Sequence, residues 1–484
     1  MMENMLSEKG IDFNALEKEI FQIGCEIAAN LFEQVLIRMD EHLEATRDKK
    51  KYRHKGTRAT TLKTLMGEVP YNRTVYETEF ENGEKAYVYL LDQVLKLETF
   101  GKVTASLVTR VAESASVCSY RETAAKVSGM TGQTISHGGA WNVIQELGKR
   151  LSEVEKADAR LAKDNQGRGN IVTPILFEEA DGVWLNMQGK DRPKKGRKCE
   201  MKMAVAYDGW ELKGKNRYAL RNKVMVCGFE ESKEFQRKKE GAIAAKFDTD
   251  EITLRILNGD GGGWIKGGLV DADVHFQLDP FHKNREILRK VKDTKHRETV
   301  MRLLSEKRVD DLLIYIKGII ELAEDEVEKK KLKELHEYFN SNKEGLIPYQ
   351  ERGLKLPAPP EGIEYRNLGT MEHQVCDGAA KRMKHQKASW SKHGAANLGQ
   401  ILCQKACGKL RGTVLSLSKT VLPERYTETI EEVLSAAKAP LRDGKGYQYP
   451  VTGNPLFTGT FVTNGRKAIL NMLNDRTCSE LIYR

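Results

Sequence analysis

Between residues 171 and 282 the chain carries five strand-length runs that are apolar along most of their length: IVTPILFEEADGVWLNM, MKMAVAYDGWEL, NKVMVCGFE, EITLRILNG and VHFQL. Runs that do not alternate strictly belong to strands buried on both faces, and such strands need helices to cover them. A helical segment at 231–246 follows the third run, the glycine-rich loop GDGGG follows the fourth, and KNREILRKVK begins a helix after the fifth. The middle of the chain is therefore expected to be α/β, built on one central sheet.

The chain has 484 residues, enough for about three domains at roughly 100–200 residues each. Residues 11–47 read as a helix, with Phe13, Leu16, Ile20, Ile23, Ile27, Leu31, Val35 and Ile37 mostly at three- and four-residue steps. The basic stretch KKKYRHKGTRATTLKTLMGEVPYNRTVYE then alternates in its later half, which predicts a hairpin around Thr60–Tyr76 with a Gly-Glu turn. Its Arg53, Lys55 and Arg58 suit either a solvated sheet edge or contact with phosphates. In SYRETAAKVSGMTGQTISHGGAWNVIQELGKRL, Ser119 and Glu122 can cap one helix, Gly129–Thr131 breaks it, and a second runs from Gln133 to Leu147. A pair of helices across a three- or four-residue turn suits a DNA-binding helix-turn-helix, which the basic flanks favour over an ordinary helical hairpin. In the DNA-binding reading Gln133, Thr134, Ser136 and His137 would enter the major groove. Residues 150–170 are polar and are expected to form a linker.

Residues 283–365 are charged and helical in pattern, an all-α insertion ending in the connector LPAPPEG. A helix resumes beyond it, around GTMEHQ and through 408; residues 409–484 carry no reading. Three strands, a helix, a strand, then a strand and helix is the element order of an RNase H-like fold. The expected organisation is thus an N-terminal helix (1–50), a small basic β element (51–95), a helix-turn-helix region (96–150), an RNase H-like core (171–282 and 366–408), the insertion, and a C-terminal region.

Lys and Arg total 79 against 69 Asp and Glu, a net charge of +10 that favours a polyanionic partner. No run approaches the ~18 consecutive apolar residues of a membrane span. MMENMLSEKGIDF lacks a basic region followed by an apolar one, so no secretory signal is visible. The eight cysteines are scattered, which suits a reducing compartment rather than a disulfide scaffold. A cytoplasmic, nucleoid-associated protein with no membrane partner is expected.

Two-metal phosphodiester chemistry needs carboxylates that converge on hard cations ~3.5–4 Å apart. Asp181 stands in a strand that reads as central, Asp260 ends the fourth strand ahead of glycines, and Glu372 opens a helix after the proline connector. Glu178, Glu179 and Asp208 compete with Asp181, Asp271 and Asp273 with Asp260, and Asp377 with Glu372. Each acid has an ordinary alternative as a turn or capping residue. His282, at a helix start, suits a buried hydrogen-bonding role or the positioning of a phosphate or of the acids. Trp390 suits the core or stacking on an unpaired base.

Taken together, EADGVW at 179–184, NGDGGGW at 258–264, LDPFH at 278–282 and GTMEHQ…RMKHQKASWSKHGAANL at 369–398 resemble bacterial insertion-sequence transposases with an Asp-Asp-Glu triad. The likeness is to the ISLre-type family, a relative of the Mutator-like transposases, over nearly the whole chain. It implies an RNase H-like catalytic domain broken by a helical insertion, with Asp181, Asp260 and Glu372 as catalytic and metal-binding residues. Asp279 and His282 would match the acid-x-x-His motif of such families. The expected activity is DNA transposition: cleavage at the element's ends and transfer of 3′ ends to target DNA, with two Mg²⁺ ions or Mn²⁺ as substitute. The expected partners are double-stranded DNA, as terminal inverted repeats and target, and a second copy or larger assembly of the chain. The rival expectations are a catalytically silent helix-turn-helix regulator and a structure-selective nuclease of the same fold.

Overall fold

The computed structural model describes residues 6–7, 10–80, 83–167, 169–267, 274–385, 387–419 and 426–438. The chain divides into two compact units, Met1–Glu146 with Arg411–Arg484, and Leu147–Leu410.

In the first unit, the short strands β1 (Leu6–Ser7) and β2 (Gly10–Ile11) precede α1 (Phe13–Thr46). Asp12 caps α1 by accepting the Asn14 backbone N–H. Among the described residues α1 is the one helix long and apolar enough, by length and composition, to cross a membrane. Its second half faces a protein core: Leu36, Met39 and Leu43 join Leu62, Val69, Tyr71 and Tyr76. The hairpin expected at Thr60–Tyr76 is longer, β3 (Arg53–Thr64) against β4 (Gly67–Glu79), with β5 (Lys85–Val88) on the far edge of β4. Its turn is Leu65–Met66, because Gly67 already pairs with Thr64 as the first residue of the return strand. Asp40 ties α1 to this sheet by accepting the Thr74 backbone N–H and hydroxyl at 2.9 and 2.7 Å.

Four helices follow: α2 (Leu90–Leu95), α3 (Ala105–Ala115), α4 (Tyr120–Met130) and α5 (His137–Lys163). α4 opens on the reciprocal Ser119/Glu122 capping box that its sequence predicts. α5 departs from expectation at both ends. Ser136 starts it, its Oγ accepting the Gly139 N–H at 3.0 Å. The connection 131–136 is therefore longer than a three- or four-residue turn. At the other end α5 absorbs most of the expected 150–170 linker, and the boundary between the two units falls within it.

The second unit is organised around a five-stranded sheet. In chain order its strands are β6 (Ile175–Asn186), β7 (Lys198–Tyr207), then, after a small hairpin β8 (Trp210–Gly214) and β9 (Arg217–Leu220), β10 (Val224–Gly228), β11 (Leu254–Gly259) and β12 (Val274–Leu278). The spatial order is β10-β7-β6-β11-β12, so the first strand of the five lies in the middle. The β6–β7 and β7–β10 pairs are antiparallel, and the β6–β11 and β11–β12 pairs are parallel. α6 (Ser232–Ala244) crosses one face, where Phe235 packs with Ala180, Ala204 and Val226. After α7 (Gly263–Lys266), the helices α8 (Pro280–Lys290), α9 (Thr294–Ser305), α10 (Val309–Leu322) and α11 (Glu326–Ser341) bury their own apolar core, which reaches Leu278 at the end of β12. A two-residue strand, β13 (Ile363–Glu364), joins β8 and β9 in a separate small sheet.

The other face of the sheet is covered by α12 (Met371–Val375), a π-helical turn at Cys376–Ala380, α13 (Lys381–Met383) and α14 (Lys392–Ala406). Glycines set how closely they approach: a Cβ on Gly378 would sit 2.8 Å from Met225, and one on Gly399 2.6 Å from Cys227. Trp390 is buried, and its indole N–H donates to the Met383 carbonyl at 2.9 Å, which is a core role rather than base stacking. From α15 (Leu410–Leu417) and α16 (Thr427–Lys438), the described end of the chain returns to the first unit, where α16 packs along α1 and Tyr426 is buried in the α1 core. Residues 420–425 and 439–484, within the C-terminal region 409–484, lie outside the described residues.

Candidate metal centre

Strand register assembles the site. β6 and β11 run parallel with Ala180 opposite Gly259, so the next residue on each strand is Asp181 and Asp260. Gly259 also stands opposite Leu278 of β12, which is followed by Asp279 at the start of α8. Asp260 and Asp279 therefore emerge at the carboxyl ends of β11 and β12, beside Asp181 at the point where β6 runs on past its parallel neighbour. The Asp260 turn is held from the helical insertion: Tyr338 of α11 donates to the Asp260 carbonyl at 2.9 Å. Asn342 fills the space beside Gly261, whose φ of +85° and lack of a Cβ let the turn form.

Asp279 caps α8, one oxygen accepting both the backbone N–H and Nδ1 of His282 at 3.0 Å. These bonds, with one from Asn258, outweigh burial and hold the Asp279 carboxyl below its usual range. An ionised carboxylate only accepts, so His282 Nδ1 carries a proton. His282 Nε2 faces the acids and lies 3.9 Å from Asp181 Oδ1. Burial lowers the His282 pKa, but the bond to Asp279 and the charge of Asp181 outweigh it and raise the imidazole above its ordinary value.

Asp181, Asp260 and His282 each offer a ligand atom, and these atoms lie within 4.8 Å of one another. Asp181 is the strained member. Burial pushes its pKa up to about 6; His282 and the Gly182 N–H oppose this, while the charges of Asp260 and Glu372 add to it. Two carboxylates and an imidazole whose remote nitrogen is fixed by a carboxylate make a donor set that fits a divalent cation. Glu372 stands outside that trio, exposed in the first turn of α12, which packs on β6.

The competing acids are engaged elsewhere. Glu178 points the other way, into a buried cluster with Arg255 and Lys239. Burial would raise its pKa, but those cations outweigh it and hold the carboxyl low. Asp208 accepts from Asn222 at 2.8 Å, and Asp377 pairs with His373 and Lys381. Asp271 and Asp273 lie outside the described residues. Glu179, read from sequence only as a rival, is fully buried and accepts from Tyr207, Asn258, Gly369, Thr370 and Met371. Asn258 was missed altogether. The one sequence signal for either was a polar residue inside an otherwise buried strand.

The residues expected to face DNA fare unevenly. Gln133 is buried, its Nε2 spent on the Thr134 carbonyl at 2.8 Å, and it precedes α5 rather than opening it. It is therefore withdrawn from the groove-reading set. Thr134, Ser136 and His137 are exposed, as are Arg53, Lys55 and Arg58 on β3, although Lys55 pairs with Glu77 at 3.0 Å.

Among known proteins, a UPF0236 protein of Caldanaerobacter subterraneus subsp. tengcongensis is 24% identical over 441 residues, covering 90% of this chain and 87% of the relative. Another from the same organism, whose name joins eleven locus designations, is 24% identical over 441 residues, covering 90% of this chain and 86% of the relative. Among solved structures, the Drosophila P element transposase strand transfer complex is similar over 78% of this chain and 93% of that one, at 8% identity. Its TM-score is 0.20, too low a superposition to carry an argument about fold or activity. The model of the uncharacterised protein family UPF0236 matches residues 6–419, and the chain belongs to that family.

Proposed function

We propose that this chain is a metal-dependent DNA transposase with an RNase H-like catalytic domain. The observation that carries the reading is the meeting of Asp181, inside β6, with Asp260 just past the end of the adjacent parallel strand β11, and with His282 beside them. The sheet order, third-second-first-fourth-fifth with the first three strands antiparallel, supports the RNase H-like assignment. So does the all-α segment α9–α11 between the second and third acids. The relative whose name joins eleven locus designations in one organism supports a mobile gene.

In this reading Asp181, Asp260 and His282 would hold one divalent cation, and Glu372 would contribute to holding a second. Mg²⁺ or Mn²⁺ bound there supplies activation of the attacking oxygen and stabilisation of the leaving oxygen. Asp279 keeps His282 in one tautomer with Nε2 turned to the acids. Burial of Asp181 limits the screening of that carboxylate by bulk water. The exposed Arg53, Arg58, Thr134, Ser136 and His137 of the first unit contact the DNA ends, and two ends handled together call for at least two copies of the chain.

The test is incubation of the full chain with labelled duplexes taken from the DNA flanking its gene, plus plasmid target, with Mg²⁺ or Mn²⁺. Nicked ends and joined products are expected, both lost in Asp260→Asn while end binding persists. Binding without nicking in either metal would leave a DNA-binding regulator. Nicking without joining would leave a nuclease.

A further inference from the structure

We propose that Glu179 is a positioning residue: its buried carboxylate pins the first turn of α12, and so Glu372, to the strand that carries Asp181. The inference rests on the reading of Asp181, Asp260 and Glu372 as the metal-holding acids.

Glu179 lies two residues before Asp181, so both side chains leave the same face of β6. Its Oε2 accepts the backbone N–H groups of Gly369, Thr370 and Met371 at 2.9, 2.8 and 3.2 Å. The same oxygen accepts Asn258 Nδ2 at 3.0 Å. Its Oε1 accepts the hydroxyls of Tyr207 and Thr370 at 2.5 and 2.7 Å. None of these partners carries a charge, so the carboxylate is solvated entirely by oriented dipoles.

Those three N–H groups immediately precede Glu372; Met371 opens α12, Thr370 is its N-cap and Gly369 lies just ahead, so none has a partner inside the helix. α12 is five residues long before it gives way to the π-helical turn. Even with the π-helical turn and α13 that continue it, this helix is too short to be stable by itself, so its position is decided by what it packs on and what bonds it from outside. Glu179 anchors its N-terminal end. The network extends further: the Asn258 amide also donates to Asp279 at 3.0 Å, and Asp279 holds His282. One continuous set of hydrogen bonds thus joins β6, β11, α8 and α12, the elements carrying Asp181, Asp260, His282 and Glu372.

The test measures Mn²⁺ binding to the full chain by titration calorimetry, with the decrease in the free-ion electron paramagnetic resonance signal as a second readout. The variants are Glu179→Ala, Glu179→Gln, Thr370→Val, Glu372→Gln, Asp181→Asn, and each of Glu179→Ala and Thr370→Val combined with Glu372→Gln. Removing a residue that orients a ligand typically weakens metal affinity ~10–100-fold, which is the loss expected for Glu179→Ala. The decisive result is non-additivity: Glu179→Ala with Glu372→Gln should bind Mn²⁺ no more weakly than Glu372→Gln alone. Glu179→Gln should recover most of the affinity, because its carbonyl can accept the backbone N–H groups and its amide can donate to the two hydroxyls. If Glu179→Ala loses its cooperative melting transition, Thr370→Val takes its place, removing one bond at constant shape. It should weaken binding less, and again non-additively with Glu372→Gln. Additive losses, or parental affinity in the folded Glu179 and Thr370 variants, would overturn the positioning role while leaving the metal site intact. Parental affinity in Glu372→Gln and Asp181→Asn, or no Mn²⁺ binding by the parent, would overturn the metal-site reading and this inference with it.

Discussion

Asp181 shows what assembling the site does to a single carboxylate. Burial, helped by Asp260 and Glu372, raises its pKa to about 6 in the folded chain, against an ordinary value of 3.8. Between those two values the folded state binds more protons than the unfolded state, so this residue makes the metal-free protein less stable as pH rises through that window. The penalty is complete above about pH 6 and absent below about pH 4. Asp181→Asn removes it, and the metal-free variant should be more stable than the parent at pH 7 by ~1–3 kcal/mol, at about 1.4 kcal/mol per pKa unit. Thermal unfolding at pH 7 and near pH 4 checks this: the gain should be present at the first and gone at the second. Metal binding should reverse the order at pH 7, since the cation stabilises the parent by mass action and the variant much less.

Close helix contacts hold the second unit together and set its tolerance to change. α5 from Leu147 onward lies against α14 and α6 at two glycines. A Cβ on Gly148 would stand 2.6 Å from the Asn397 Cα, and one on Gly241 2.6 Å from the Ala159 Cα. Backbone atoms cannot swing aside as a side chain can, so Gly148→Ala should separate α5 from α14 and destabilise the protein by roughly 1–3 kcal/mol, despite alanine's better helix propensity. A urea titration followed by circular dichroism measures this. A gain in stability there would mean that α5 moves freely over α14.

The path of the chain through its two units decides where it can be cut. The boundary lies inside α5, and the chain returns to the first unit after Leu410. Leu151 and Glu155 of α5 belong to the second unit; Glu155 pairs with Lys238 at 2.9 Å and accepts from Gln400 at 2.9 Å. A 137–410 fragment that keeps α5 whole should therefore melt cooperatively, whereas a 151–410 fragment, which frays α5 and loses Gly148 from the α14 contact, should melt several degrees lower. Differential scanning calorimetry of the two fragments compares them. In the full chain, with its net charge of +10, DNA binding should weaken linearly in log affinity against log salt, which filter binding over a salt series measures.

Much of the second unit was legible in the residues themselves. Apolar runs located all five strands of the central sheet, because burial on both faces leaves a composition that neighbours cannot disguise. Asp181 was singled out because an acid inside a central strand needs a reason to be there, Asp260 because it ends a strand ahead of glycines, and Glu372 because it opens a helix after the proline connector. The Ser119/Glu122 cap is local chemistry and was read correctly for the same cause. What could not be read was everything set by partners distant in sequence. Strand register put Asp181 beside Asp260, and no local pattern encodes register between strands so far apart. Glu179 and Glu178 look alike in sequence; alternation across β6 sends one to the α12 face and the other to Arg255 and Lys239. Gln133 read as a helix-opening residue until Ser136 took the cap and the loop closed over it. The end of α5 ran past its own periodicity because α6 and α14 were there to receive it, and tertiary packing of this kind overrides what a short stretch prefers by itself.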